Sequence, residues 1–216
     1  MSDTLAQLID KVQALLGDDG TIFTDATVTA AIRQTLDEWN IRAPIHAATT
    51  ITGVNDQYEY ELSDEDSASV VILDVLRRGP NNNEQDISIT FDDYNEDERI
   101  FFRLRAPVTT SDTLIVRYTI YHTISGLDSA VESTLPTRLD QAIVNGAAFF
   151  SIMIRATSRV ETINLSKDQS DNYREIAGAY ATAFGNRLMQ EIKRKRAPVG
   201  EPDQRAWNDQ YHGWDP

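Results

Sequence analysis

The feature that most constrains this chain is a double change of hydrophobic period. Over residues 5–39 the apolar side chains recur every three or four positions. From about residue 45 they alternate every second position between closely spaced turn residues, and after Gly126 the three-to-four spacing returns. A period of 3.6 lines up one face of a helix and a period of 2 lines up one face of a strand. The expected class is therefore α+β, with a β segment inserted into a helical one. Two N-terminal helices and two long C-terminal helices form a bundle, an antiparallel β domain is inserted between them, and an extended C-terminal tail follows. The boundaries fall at 1–44, 45–126, 127–196 and 197–216.

Leu5, Leu8, Ile9, Val12, Leu15 and Leu16 share one helical stripe, which Ser2 or Asp3 is placed to cap and Gly17-Asp18-Asp19-Gly20 to stop. Thr24 is placed to cap a second helix with the stripe Val28, Ala31, Ile32, Thr35, Leu36 and Trp39, ended by Arg42-Ala43-Pro44. Past the β segment, Thr134-Leu135-Pro136 reads as a third helix start. Leu139, Ile143, Ala147, Phe150 and Ile154 form its core stripe. Val144, Ala148, Phe149 and Ile152 beside them are apolar too, so this helix is expected at the centre of the bundle, covered on more than one side. Ser166 with Gln169 is a capping-box pattern for a fourth helix of about 30 residues, some 45 Å long. Its stripe is Tyr173, Ile176, Ala177, Tyr180, Phe184 and Leu188 or Ile192.

Six strands are expected between them, at His46–Thr52, Gln57–Leu62, Ser69–Arg77, Asp86–Phe91, Arg99–Arg105 and Thr113–Ile124. Connections of hairpin length suggest a small antiparallel sandwich or barrel-like sheet. No internal repeat is visible, which argues against a solenoid.

The net charge of −14 is unevenly placed, because residues 43–127 hold fifteen acids against six bases. Such a surface repels phosphate backbones and disfavours tight nucleic-acid binding. With no cysteine in the chain, disulfides, thiolate-bound metals and a cysteine nucleophile are excluded. The longest apolar stretch, residues 143–154, is interrupted by Asn145, Gly146 and Ser151 and falls short of a membrane span. The first residues lack the pattern of a secretion signal, so a soluble, unexported chain is expected.

Local catalytic signals are missing. His46, His122 and His212 stand far apart with no partner at metal-ligand spacing, and there is no glycine-rich phosphate loop or nucleophile elbow. No catalytic, metal or cofactor site is assigned, and no cofactor is expected. The run Asp92-Asp93-Tyr94-Asn95-Glu96-Asp97-Glu98 lacks the spaced ligands and glycine of a calcium loop and reads as a solvated connection between strands. A carbohydrate-active enzyme using two of the 34 acids has no motif behind it.

Partner binding has better candidates. Lys193, Arg194, Lys195 and Arg196 close the fourth helix, where they compensate its dipole, grip phosphate or meet an acidic partner surface. In the tail, Trp207, Tyr211 and Trp214 sit in a segment too polar and proline-rich to bury them in a core of its own, and such aromatics anchor a peptide in a neighbour's pockets; a disordered end or a tail folded back on its own subunit is the alternative.

The order of short amphipathic helix, acidic turn, second helix opening at Phe23-Thr24-Asp25 and running through Ala30-Ala31-Ile32-Arg33-Gln34-Thr35-Leu36, β insertion, two long helices and tail resembles the head-to-tail adaptor (connector) proteins of tailed bacteriophages. The local match is Leu5 to Trp39, and the large β segment is closer to the adaptors of short-tailed phages. The resemblance implies a non-enzymatic structural protein of the virion neck, made in the host cytoplasm. It implies a homo-oligomeric ring, commonly a dodecamer, whose partners are the portal protein and tail or nozzle proteins. DNA would pass through the lumen without specific binding, and no membrane is involved. A tail terminator or nozzle subunit is the alternative of the same kind.

Overall fold

A computed structural model describes residues 2–62, 70–79, 86–96, 99–160 and 167–196, leaving aside the side chains of residues 158–160, 167–170, 172, 173, 195 and 196. The chain divides into two compact units, residues 1–43 with 123–216 and residues 44–122.

The first unit is helical. Helix α1 spans Leu5–Leu16 and is capped by Thr4, whose hydroxyl accepts from the Gln7 backbone while the Gln7 side chain accepts from the Thr4 backbone. This capping box corrects the expectation of Ser2 or Asp3: the glutamine three residues on makes Thr4 the position where two orphan donors are satisfied together. Gly17 takes the left-handed conformation at φ 66° and ends the helix, as its place in the sequence suggested. Helix α2, Asp25–Arg42, is capped by Thr24 and buries all six residues of its expected stripe. Residues 123–134 tie the start of the chain down: the Leu5 N–H donates to the Ser125 carbonyl, and Arg33 forks onto Asp128.

A single 3-10 turn, Thr137–Leu139, follows Pro136, and helix α3 runs from Asp140 to Val160. Leu139, Ile143 and Ala147 are buried, and so are Val144, Ala148 and Ile152, because α3 lies in the middle of the unit and packs on α1, α2 and α4. Helix α4 spans Lys167–Arg196, the expected 30 residues. Ser166, the expected cap, and the Tyr173 side chain lie outside the described residues. Ala177, Phe184 and Leu188 are buried and Tyr180 and Ile192 partly so. Ile176 is instead 40% exposed, and Glu191 closes the inner stripe three residues after Leu188.

The second unit is a two-sheet sandwich. Strands β1 (Ile45–Thr52), β7 (Thr113–Ile120), β3 (Val70–Arg78) and β4 (Ile87–Ser88) form one antiparallel sheet in that spatial order. Strands β2 (Glu59–Leu62), β6 (Arg99–Leu104) and β5 (Phe91–Glu96) form the other. Val75, Leu114, Val116 and Tyr118 from the first and Tyr60, Ile100, Phe102 and Leu104 from the second share one core. A bulge at Leu73 resets the alternation, so that Ile72 and Val75 both face inward.

Two expectations are corrected here. The single strand at Asp86–Phe91 is two short ones, because the chain changes sheets at Ile89 and Thr90: the Ile89 N–H donates to Val75 in the first sheet, and the Thr90 carbonyl accepts from Arg105 in the second. The acidic run is not a loop up to Glu96 but strand β5, paired with β6 along its whole length. Its charges suit an edge strand, where they discourage pairing with another chain.

Candidate partner-binding surface

The helical unit has one basic end. Helices α3 and α4 are antiparallel, which brings Arg138, just ahead of α3, beside Glu191 in the last turns of α4. Arg138 presents Nε and Nη2 to the two Glu191 carboxylate oxygens at 3.4 and 3.2 Å. Arg194 adds its Nη1 at 3.9 Å, one helical turn on. Arg187, a turn before Glu191, donates to the Arg138 carbonyl at 3.2 Å and to Gln190 at 3.1 Å.

Glu191 is 4% exposed. Burial pushes its carboxyl up, but the guanidinium groups of Arg138, Arg194 and Arg187 outweigh that and hold it below the usual carboxylate range. It is thus ionised and neutralises one of these cations. Arg138 and Arg194 keep about half of their side-chain surface in solvent, and Lys193 is exposed. One carboxylate beneath several cations leaves an outward excess of positive charge.

Of the residues singled out in sequence, Lys193 and Arg194 fall in this cluster. Lys195 and Arg196 complete the helix, but their side chains lie outside the described residues, as do Trp207, Tyr211 and Trp214. Arg138 and Arg187 were missed. A signal existed: Glu191 is the lone acid between Glu175 and the basic run, and an isolated acid on the inner stripe of a helix needs a cation from outside that helix.

His46 is exposed on β1, His122 is buried at the end of its unit, and His212 lies outside the described residues. Among the described residues no group of three or more His, Cys, Asp or Glu is placed to hold a metal ion, and no helix is long and apolar enough to cross a membrane.

The family model for "SU10 adaptor protein" matches residues 3–206, both units included. No curated protein matches the chain. Among solved structures, a chain of the "Virion of native gene transfer agent (GTA) particle" is 13% identical, with 68% of this chain and 76% of that one covered, at a TM-score of 0.32. A chain of the "Neck of empty GTA particle computed with C6 symmetry" is 11% identical, with coverages of 80% and 87%, at a TM-score of 0.30. The family match bears out the resemblance drawn from Leu5 to Trp39 and from the helix–β–helix order: the chain belongs to the SU10 adaptor protein family and is a structural head-to-tail adaptor.

Proposed function

We propose that this adaptor works as one member of a homo-oligomeric ring that joins the portal of a phage-like particle to its tail or nozzle. The family match over residues 3–206 carries the reading. The role is attachment and has no catalytic step. The subunit count, commonly twelve, is carried by the resemblance alone.

Attachment to the portal falls to the tail, residues 197–216, with Trp207, Tyr211 and Trp214 as anchors and Lys193–Arg196 meeting acidic protein surface. A polar, proline-rich segment offers three large aromatics no core of its own, whereas a partner's pocket desolvates them. The acidic balance of the rest of the chain keeps DNA from adhering as it passes.

The test is binding of the full chain to purified portal rings. Replacing Trp207, Tyr211 and Trp214 by alanine together should weaken binding at least about a hundredfold, since buried aromatic anchors dominate such interfaces. Unchanged binding refutes the role of the tail. Imaging of labelled protein in particles tests the location: label away from the portal assigns the chain to another neck or tail component.

A further inference from the structure

Resting on that portal reading, we infer that the contact of the basic run extends to a braced cluster at the basic end of the helical unit, in which Arg187 joins Lys193 and Arg194, with Arg138 held in place by Glu191, to dock an acidic protein surface. The dipole of α4 explains cations in its last turn. It does not explain Arg187, more than two turns before the helix ends, or Arg138, which belongs to another element. From Ile176 to Arg196 helix α4 holds five bases and one acid, and that acid is already engaged by Arg138. In a chain of net charge −14, this is a local reversal of sign.

The cluster is also partly organised in advance. Arg138 is fixed by a two-point contact to a buried carboxylate and Arg187 by the Arg138 carbonyl, so less side-chain freedom is lost on docking than for free surface arginines. Guanidinium forks match carboxylates two oxygens at a time. Phosphates have the same chemistry, but the strongly acidic remainder of the chain opposes approach of a duplex. An acidic protein surface is therefore the favoured partner, with Arg138 and Glu191 as positioning residues.

The experiment measures binding of the full chain to portal rings and, separately, to duplex DNA over a range of salt. Arg187→Glu should weaken portal binding about tenfold or more. Arg187→Gln, which removes the charge without reversing it, should cost about threefold, and both losses should fade as salt rises. Lys193→Glu, which leaves the contacts of Arg138 and Arg194 with Glu191 in place, should weaken portal binding in the same direction as Arg187→Glu. The tail variant at Trp207, Tyr211 and Trp214 should bind more weakly yet keep the salt dependence. Portal affinity unchanged in all the charge variants overturns the inference and leaves only the aromatic anchors of the tail standing. Tight duplex binding that the same variants abolish overturns it in favour of a phosphate grip. A wild-type chain that ignores portal rings overturns the portal reading and this one together.

Discussion

Gly146 of α3 lies so close to Phe184 of α4 that a β-carbon on the glycine would stand 2.9 Å from the ring's Cδ2. On its other flank the same carbon would run into Cγ2 of Thr35 on α2, which is closer still. Three helices thus meet at a point where only hydrogen fits, and Trp39 packs onto the same Phe184 ring at 6.0 Å between centroids. Close-packed cores of this kind respond to a single added methyl.

Gly146→Ala should therefore destabilise the helical unit. Alanine gains about 1 kcal/mol over glycine in a helix interior, but overpacking here costs about 1–3 kcal/mol and Thr35 and Phe184 cannot both retreat. A net loss of up to about 2 kcal/mol is expected in denaturant unfolding, with a lower thermal midpoint. A variant as stable as the wild type would show that the helices separate freely at this crossing.

Gly178 and Gly185 on α4 should behave oppositely. A β-carbon at either meets nothing within 4 Å, and neither has a positive φ. Each alanine substitution should stabilise the isolated chain by about 0.5–1 kcal/mol through helix propensity alone. The same two variants, assayed for incorporation into particles, report whether a neighbouring subunit needs that space. Retained assembly is the expected result.

The capping box gives a third test. Thr4→Ala removes the acceptor for the Gln7 backbone N–H and should cost about 1 kcal/mol, whereas Ser2→Ala should leave stability within about 0.5 kcal/mol of wild type. Comparable losses in both would place the cap earlier in the chain.

That comparison also shows where sequence was readable. Periodicity located α2 and its stripe in full because a helix that buries one face must repeat every 3.6 residues, and Val28 to Trp39 do so without interruption. Caps were less readable: Ser2, Asp3 and Thr4 all have the right chemistry, and only the reciprocal bond with Gln7 separates them. Alternation could not reveal that Ile89 and Thr90 carry the chain from one sheet to the other, since both sheets share the same period. Charge misled at Asp92 to Glu96, where an exposed edge strand and a solvated loop look alike in composition. For the surface, Lys193 and Arg194 stood out as a run, but Arg138 joins them only through the antiparallel pairing of α3 and α4.

Two buried aspartates make the last prediction, and they should respond to pH with opposite sign. Asp112, 2% exposed, accepts from the Thr109 backbone at 2.7 Å and hydroxyl at 2.9 Å, and pairs with Arg77 at 3.1 Å. Burial pushes its carboxyl up, but those bonds together outweigh it and hold the group below the usual carboxylate range. The folded state then prefers the ionised form, so this stabilisation is present above the unfolded value of about 4 and is lost as pH falls through the depressed one. Asp140, at the start of α3, accepts from the Asp3 N–H at 3.2 Å and lies beside the Asp3 carboxyl, and its buried Oδ1 has no hydrogen-bond partner among the described residues. Burial raises its carboxyl above the usual range. Stability from that group is complete below the unfolded value and is lost as pH rises through the raised one. Asp112→Asn should thus destabilise the chain most near pH 7 and progressively less toward pH 3. Asp140→Asn should gain on the wild type as pH climbs from 3 to 7. Denaturant unfolding followed by circular dichroism at several pH values reads both, and parallel pH trends in the two variants would contradict this assignment of ionisation states.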